Sequence, residues 1–253
     1  MKITFLGTGT SQGVPVIACN CPICQSPDRK DKRLRSSVLV ETRKSTILID
    51  AGPDFRQQML REQVKKVDAI LLTHEHADHV LGLDDIRSFN WVMSRPMRIY
   101  AEERVQQVIR RIFSYVFEES RYPGLPEMTL QYITEEKFGI DGATIIPIRA
   151  FHYKLPVFGF RIGDFAYLTD LNSIPDKEAE KLTGLKVLVL GALRQEKHLS
   201  HYSLHEALSL IDQIRPDKAY LTHMSHQMGL HHIVDPQLPE NVHLAYDGLC
   251  VEI

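Results

Sequence analysis

The stretch that decides the fold of this chain is Thr73-His74-Glu75-His76-Ala77-Asp78-His79. It follows an apolar run at 67–72 that is typical of a buried strand. Three imidazoles and the carboxylate of Asp78 therefore stand where a strand ends, and divalent transition metals prefer these ligands. His74 and His76 point the same way in an extended segment, whereas Asp78 and His79 can turn towards a second point as the next helix begins. The spacing indicates a site for two metal ions.

Single polar residues at the ends of later strands add to this site. The region 131–170 is mostly β in pattern, and His152 and Asp170 both stand at strand ends there. Either residue alone would be interpreted as a core histidine or a turn former. Together they would supply the two ligands that the metal loop lacks. The predicted strand 218–222 leads into a further Thr-His pair, Thr222-His223. This pair repeats the arrangement of Thr73-His74 in the metal loop.

A histidine also precedes a predicted helix in the second half of the chain. Ser203 can cap this helix, which is expected to run to about residue 214, and Glu206 completes a capping box. His201 therefore lies in a loop just before the helix, where it can face the site. His205 lies within the first turn and is expected on the surface.

Length, charge and the first residues limit the class of protein. With 253 residues and no linker, the chain is interpreted as one domain spanning 1–253. The net charge of −2 argues against a protein that binds nucleic acid through an overall positive charge. A local basic patch remains an alternative. The start lacks a secretion-signal pattern, and no run of about eighteen apolar residues exists. We therefore expect a cytoplasmic location and no membrane contact.

The segments around the metal loop leave several alternatives open. A predicted hairpin covers 36–50, and Asp50 at its end can either orient a ligating imidazole or cap a helix at 54–62. The Gly-rich turn 7–13 can approach phosphate with its backbone or simply end a strand. The stretch 118–130 is predicted to be a loop and is a candidate lid.

Two further helices and a terminal strand pair complete the predicted elements. Helices are predicted at 82–93 and 102–117, and the tail 242–253 is predicted to form a strand pair around Asp247-Gly248. The apolar face of the second helix is expected to contain Val105, Ile109, Ile112 and Val116.

Three cysteines lie close together near the start of the chain, at Cys19, Cys21 and Cys24. In a chain with no predicted export signal, close thiols suggest metal binding or redox use rather than a disulfide framework. A structural zinc site needs four Cys, or three Cys and one His, so a fourth ligand must come from elsewhere. The alternative is reduced bystander thiols. Cys250, in an apolar C-terminal strand pattern, is predicted to be a core thiol.

The run at 74–79 resembles the His-x-His-x-Asp-His signature of the metallo-β-lactamase superfamily. The resemblance implies an α/β fold, a four-layer αββα sandwich, with a two-metal site along its edge. Two divalent ions, Zn²⁺ or Mn²⁺, would lower the pKa of a shared water, and the resulting hydroxide would be the nucleophile. The ligands it implies are His74, His76 and His152 for one metal, Asp78, His79 and His223 for the other, and Asp170 as a bridge.

Two further resemblances narrow the branch. The run from His201 to Ala207 is similar to the His-[Ser/Met]-[Ser/Thr]-x-x-x-Ala element of the phosphodiesterase branch, and it departs at Tyr202. This implies that His201 protonates the leaving alkoxide or stabilises the transition state. Asp78 is the other residue with an implied catalytic role. The close cysteines resemble the PhnP-type phosphodiesterases of phosphonate breakdown, which implies a structural Zn²⁺ on Cys19, Cys21, Cys24 and His226.

The resemblance implies hydrolysis of a small cyclic phosphodiester such as phosphoribosyl 1,2-cyclic phosphate. Three alternatives stay open. A tRNA 3′-end endonuclease would usually carry an extended basic arm, and the sequence shows no such insertion. A thioester or lactam hydrolase draws no support from His201. The presence of a residue at every ligand position argues against a metal-binding or scaffold protein without catalysis. Homodimers are common among relatives, so a second copy is a candidate partner.

Overall fold

The chain forms two β-sheets that pack face to face, with helices on both outer surfaces. The computed structural model describes residues 1–118 and 123–253. The strands of the first sheet are β1 Lys2–Gly7, β2 Ser37–Glu41, β3 Thr46–Ile49, β4 Ala69–Leu71, β5 Met97–Ala101, β6 Met128–Tyr132 and β14 Cys250–Glu252. The strands of the second sheet are β7 Phe138–Ile140, β8 Ala143–His152, β9 Leu155–Ile162, β10 Phe165–Leu168, β11 Val187–Gly191, β12 Lys218–Thr222 and β13 Val242–Leu244.

The strand orders are β14-β1-β2-β3-β4-β5-β6 in one sheet and β13-β12-β11-β10-β9-β8-β7 in the other. The helices of the described residues are α1 Pro22–Gln25, α2 Phe55–Arg61, α3 Ala77–Val80, α4 Arg87–Met93, α5 Glu103–Ile112, α6 Ser114–Phe117, α7 Asp176–Ala179, α8 Leu204–Ile214 and α9 His231–Val234. The predicted four-layer αββα sandwich is confirmed. Across residues 1–118 and 123–253, no helix has the length and apolar content needed to cross a bilayer.

Alternation along the strands explains the layers. In β2, Val38 and Val40 pack between the two sheets, whereas Leu39 packs against the helices outside the first sheet. In β11, Val189 faces the inter-sheet core and Leu190 faces the helices outside the second sheet. Because side chains alternate along a strand and both faces are covered, these strands are apolar throughout. This is why short, continuous apolar runs were sufficient to predict them.

Parallel pairing brings the ends of the central strands together. In the first sheet β3 pairs with β4 in parallel, with Ile49 opposite Leu71. In the second sheet β10, β11 and β12 are parallel, with Leu168 opposite Leu190 and Leu190 opposite Leu221. The residues that follow parallel strands emerge at the same edge of a sheet, where α/β proteins usually place their sites.

The helix predictions are largely confirmed. Helix α8 runs over Leu204–Ile214 and begins with the predicted capping box between Ser203 and Glu206. The segment 82–93 consists of a 3₁₀ helix, Leu81–Ile86, followed by α4. On α5 the backbone leaves the helix at Phe113, so the predicted helix 102–117 is interrupted there. Ile112 is 38% exposed, whereas Val105, Ile109 and Val116 are buried as predicted.

Two predictions near loops need correction. The tail does not form a strand pair, since β13 pairs with β12 in one sheet and β14 pairs with β1 in the other. The physical reason is Asp247, whose side chain accepts hydrogen bonds from Thr8 Oγ1 and from Leu34 N, both at 2.8 Å, and so attaches the turn to the first sheet. The predicted loop 118–130 includes residues 119–122, which lie outside the described residues, and it is too long because β6 begins at Met128.

Candidate metal centre

The histidine-rich loop links the end of β4 to the start of α3. Its backbone is extended at His76 (φ −62°, ψ 148°) and becomes helical at Ala77. His74 therefore lies in the extended part, while Asp78 and His79 lie in the first turn of the helix and are buried. This is the division that the spacing predicts, and it lets the two parts of the loop present ligand atoms in two directions.

Asp170 lies at the centre of the cluster. Its Oδ2 is 2.9 Å from His79 Nε2, and its Oδ1 is 2.9 Å from His223 Nε2. The same Oδ1 is 3.5 Å from His201 Nδ1. His79 Nε2 is also 3.1 Å from Asp78 Oδ2. One carboxylate thus touches groups from several separate segments, as a bridging ligand must.

The remaining predicted ligands lie beside this group. The ring centroids are 4.5 Å apart for His74 and His76, and 5.2 Å apart for His76 and His152. Three sets of side chains have ligand atoms within 4.8 Å of one another, namely His74 with His79 and Asp170, Asp78 with His79 and His223, and His152 with Asp170 and His201. All eight side chains predicted from the sequence therefore meet in one place.

The imidazoles are oriented by hydrogen bonds at Nδ1. Such contacts commonly fix metal-binding histidines and turn the other ring nitrogen towards the metal. The pairs are His74 with Thr73 Oγ1 at 2.9 Å, His79 with Asp50 Oδ2 at 2.7 Å, His152 with Ser200 O at 2.8 Å and His223 with Ser36 Oγ at 3.2 Å.

The buried Nε2 atom of His74 has no hydrogen-bond partner among the described residues, and His79 Nε2 faces the carboxylates of Asp78 and Asp170. Buried polar atoms are normally paired, so the unpaired nitrogen of His74 is an exception that needs an explanation. A divalent cation would supply the missing partner, and imidazole nitrogen is a ligand that it favours.

Asp50 orients a histidine rather than capping a helix. It is fully buried, and it accepts hydrogen bonds from Thr73 N and from Thr73 Oγ1 as well as contacting His79. Asp54, not Asp50, stands at the N-cap of α2, so the capping alternative is wrong. The buried carboxylate holds one ring nitrogen of His79 and leaves the other facing Asp78 and Asp170.

Left-handed backbone conformations place three of these side chains. Asp50, Asp170 and His223 have φ values of 63°, 51° and 58°. For a residue other than glycine this conformation costs about 1–2 kcal/mol, and it persists only where the surroundings fix it. Each residue lies just beyond a strand, so the left-handed turn redirects the side chain from the sheet edge into the cluster. The site is thus assembled at a cost in stability.

The charges of the site suit cations. Burial opposes ionisation of Asp170, but His223 and His79 outweigh it and hold the pKa of this carboxyl well below its usual range. Burial lowers the pKa of His74 well below the ordinary value, and burial together with His223 lowers the pKa of His201 to about 3. Burial also favours neutral His79, but the neighbouring carboxylates outweigh it and raise its pKa well above the ordinary value. Anionic carboxylates therefore surround His79 and stabilise a positive charge there. A divalent cation can replace the proton of the imidazole and provide that charge.

Changing Asp50 to Asn should weaken metal binding about 10- to 100-fold, because the amide no longer holds His79 by a charge-assisted hydrogen bond. Competition with a chelator measures the change in affinity. Asp68→Asn is the matched control, since Asp68 is also buried, directly before β4, but pairs with Arg95 at 2.6 Å. Unchanged metal affinity in Asp50→Asn would contradict the orienting role.

A second cluster joins the three cysteines to His226. The distances from His226 Nδ1 to the sulfurs of Cys19, Cys21 and Cys24 are 3.4, 3.3 and 3.5 Å. A tetrahedral zinc ion with ordinary bond lengths would place such atoms about 3.6 Å apart. A hydrogen bond from the backbone of Cys24 lowers the pKa of the Cys21 thiol to about 6, which favours the thiolate that binds metal. His226 lies three residues after His223, so this cluster attaches residues 19–24 to the candidate site.

The Gly-rich turn 7–13 lies against the same site. Thr10 Oγ1 is 3.3 Å from His223 Nε2. A Cβ atom on Gly7 would lie 1.9 Å from Arg35 O, so only glycine allows this approach of two backbones. The described contacts thus give Gly7 a packing role against Arg35 and place Thr10 beside a histidine of the site.

Several supporting contacts were not predicted from the sequence. Arg104 of α5 forms an ion pair with Glu75 between two histidines of the loop, and it donates a hydrogen bond to Pro156 O at 2.6 Å. Its partners are remote in sequence, so no local pattern indicates this role. The carbonyl of Ser200 and the hydroxyl of Ser36 carry no sequence signal of their own. The Thr-His pairs, by contrast, could be recognised in the sequence, and Thr73 does contact the ring of His74.

Comparison with known proteins agrees with this geometry. Residues 45–224 match a family model described as the Beta-lactamase superfamily domain. The fold and the site are those of the metallo-β-lactamase class, and the chain belongs to this superfamily. Within it, the chain is similar to a crystal structure described as a new diphosphatase from the PhnP family. The identity is 40% and the TM-score 0.93, over 100% of this chain and 97% of that one.

Curated relatives carry several different names. An octanoyltransferase from Porphyromonas gingivalis is 42% identical over 252 residues, which are 98% of this chain and 51% of that protein. A ribonuclease Z from Bacillus licheniformis is 27% identical over 192 residues, 73% of this chain and 55% of that protein. The chain thus spans about half the length of the curated relatives it matches.

Proposed function

We propose that this chain hydrolyses phosphodiesters with two divalent cations, and that its substrate is a small cyclic phosphodiester such as phosphoribosyl 1,2-cyclic phosphate. The observation that carries the proposal is the convergence on Asp170 of ligand groups from separate segments. In this proposal residues 1–253 act as one catalytic domain.

The donor set fits a pair of transition-metal ions such as Zn²⁺ or Mn²⁺. Imidazole nitrogens and carboxylate oxygens are suitable ligands, and the Nε2 atom of His74 is buried without a partner among the described residues. When bound, such a pair supplies an acidified water as nucleophile and neutralises charge on the phosphate oxygens. The residues that would hold it are His74, His76 and His152 on one side, Asp78, His79 and His223 on the other, and Asp170 between them.

His201 is the residue we assign to the leaving group. It lies beside Asp170 and its ring centroid is 4.4 Å from that of His152 and 5.1 Å from that of His223. An imidazole in this place can donate a hydrogen bond to the departing oxygen or to a phosphate oxygen. Asp78, besides binding a cation, adds negative charge that holds His79 in place.

The cysteine cluster is proposed to hold a structural Zn²⁺. Three thiols and one imidazole form the closed ligand set of such sites, and the sulfur–nitrogen separations of 3.3–3.5 Å suit one ion. Because His226 shares a short segment with His223, this ion would brace the segment that carries a catalytic ligand. The chain would then bind three metal ions.

A second candidate function is hydrolysis of a diphosphate, because the similar PhnP-family structure is described as a diphosphatase. Both reactions need cations beside a phosphoryl group, so the ligands do not separate them. The ribonuclease Z relatives favour a third substrate, the 3′ end of a tRNA precursor. Hydrolysis assays with each kind of substrate distinguish the three functions.

The test uses the full chain, freed of catalytic metal by a chelator and reloaded with Mn²⁺ or Zn²⁺. Bis(p-nitrophenyl) phosphate, phosphoribosyl 1,2-cyclic phosphate, a nucleoside diphosphate and a tRNA precursor are offered in parallel. We expect turnover of the two diesters only after reloading, and three metal ions per chain by elemental analysis of the active protein. Metal-loaded protein that hydrolyses neither diester would overturn the proposal, and cleavage of the diphosphate alone would establish the second candidate.

A further inference from the structure

Tyr153, in the turn between β8 and β9, has an unusual backbone conformation. Its φ is 59°, in the left-handed region that aromatic residues rarely adopt, and its side chain is half exposed. Asn172 holds this conformation, because its Oδ1 accepts a hydrogen bond from Tyr153 N at 2.8 Å. Strained residues of this kind concentrate where a side chain must be held in one place for function.

The same asparagine fixes a second exposed apolar residue. Asn172 Nδ2 donates a hydrogen bond to the carbonyl of Leu199 at 3.1 Å, and Leu199 is 69% exposed. Asn172 N in turn donates to Phe151 O at 2.9 Å. One side-chain amide thus sets the separation of two segments, each of which presents a large apolar side chain to solvent.

Both segments continue directly into the candidate metal centre. Tyr153 follows His152, and Leu199 precedes Ser200, whose carbonyl contacts His152 Nδ1 at 2.8 Å. The two exposed side chains therefore stand at the border of a site that is otherwise made of imidazoles and carboxylates. Lys154 adds a positive charge there, with its Nζ 5.4 Å from the centroid of the Tyr153 ring.

We propose that Tyr153 and Leu199, held by Asn172, form an apolar rim that takes the planar base of a nucleoside phosphodiester. The proposal rests on the phosphodiesterase function and, within it, favours a diester that carries a nucleobase over the base-free phosphoribosyl 1,2-cyclic phosphate. A tyrosine ring and a leucine side chain offer flat, apolar contact, which suits the face of a base better than the hydroxyls of a bare sugar. Lys154 would lie near the negative charge of such a substrate.

The experiment compares two diesters that release the same p-nitrophenolate. Thymidine 5′-(p-nitrophenyl phosphate) carries a base, whereas methyl p-nitrophenyl phosphate carries none. For the metal-loaded wild type we expect a KM about 5- to 150-fold lower for the thymidine diester, as stacking of one base provides. The KM ratio is the KM for the methyl diester divided by that for the thymidine diester. It should fall towards one in Tyr153→Gly, whereas Tyr153→Phe retains the ring and should keep the wild-type ratio. Leu199→Ser should lower the ratio as well.

The variants separate binding from folding. Tyr153→Gly suits a left-handed φ, so its Tm should not fall below that of the wild type. Trp91→Ala is the control for loss of an exposed aromatic side chain, since Trp91 is 67% exposed on α4, and it should leave the KM ratio unchanged. A wild-type ratio near one, or a ratio that Tyr153→Gly does not alter, would overturn the rim. If the wild type hydrolyses neither diester, it is the phosphodiesterase function that fails.

Discussion

Replacing His201 with alanine should lower kcat about 10²- to 10⁴-fold while the metal content of the protein stays the same. The reason is its position, because His201 approaches Asp170 at 3.5 Å and lies just before the capped start of α8. A rigid helix start fixes the imidazole beside the proposed phosphate position. Steady-state kinetics on a diester, together with elemental analysis of the same sample, measures both quantities.

The size of the loss with different leaving groups identifies the role of His201. If it protonates the leaving oxygen, the loss should be much larger for an alkoxide than for p-nitrophenolate, which needs little protonation. An equal loss with both would indicate that it stabilises the transition state instead. His205→Ala is the control, because His205 lies on the exposed face of the same helix. Loss of metal from the His201 variant would contradict the assignment and make this residue a ligand with His152 and Asp170.

The local part of the site was predictable because its physical causes are local. A short run of sequence fixes the change from strand to helix at His76, and this change alone separates the two sets of ligands in the loop. The capping box at Ser203 likewise lies within four residues, so the start of α8 and the place of His201 followed from the sequence. The buried strands were predictable for the same reason, because each is a short apolar run, whereas their arrangement in four layers was implied by the family resemblance.

The remaining features depend on contacts between remote segments. The left-handed turns at Asp170 and His223 leave no signal in residues that are not glycine, although they place both side chains. The strand pair predicted for the tail failed because the fixing contacts of Asp247 come from Thr8 and Leu34. In both cases the chemistry of a residue was visible in the sequence, while its conformation depends on contacts with segments that are remote in sequence.

Cys21→Ser should remove one zinc ion per chain and lower Tm by about 6–12 °C, which corresponds to about 3 kcal/mol in a chain of this size. A serine hydroxyl is a poor zinc ligand, and the cluster joins residues 19–24 to His226, near the end of the chain. Zinc that binds only the folded protein stabilises it. Without the ion, the entropy lost in ordering residues 19–24 is no longer offset, and the free energy of unfolding falls. Thermal unfolding and elemental analysis on the same preparation give the two numbers.

Cys250→Ser is the matched control, because Cys250 lies outside the cluster. The sequence predicted a core thiol there, but the structure shows Cys250 exposed on the edge strand β14, whose only neighbour in the described sheet is β1. Its replacement should change neither zinc content nor Tm. In Cys21→Ser, kcat should fall less than in His201→Ala, because the cluster braces His223 without touching substrate. A Cys21 variant that keeps all its zinc would show that the four side chains do not form a metal site, and their 3.3–3.5 Å contacts would then be those of neutral thiols around a histidine.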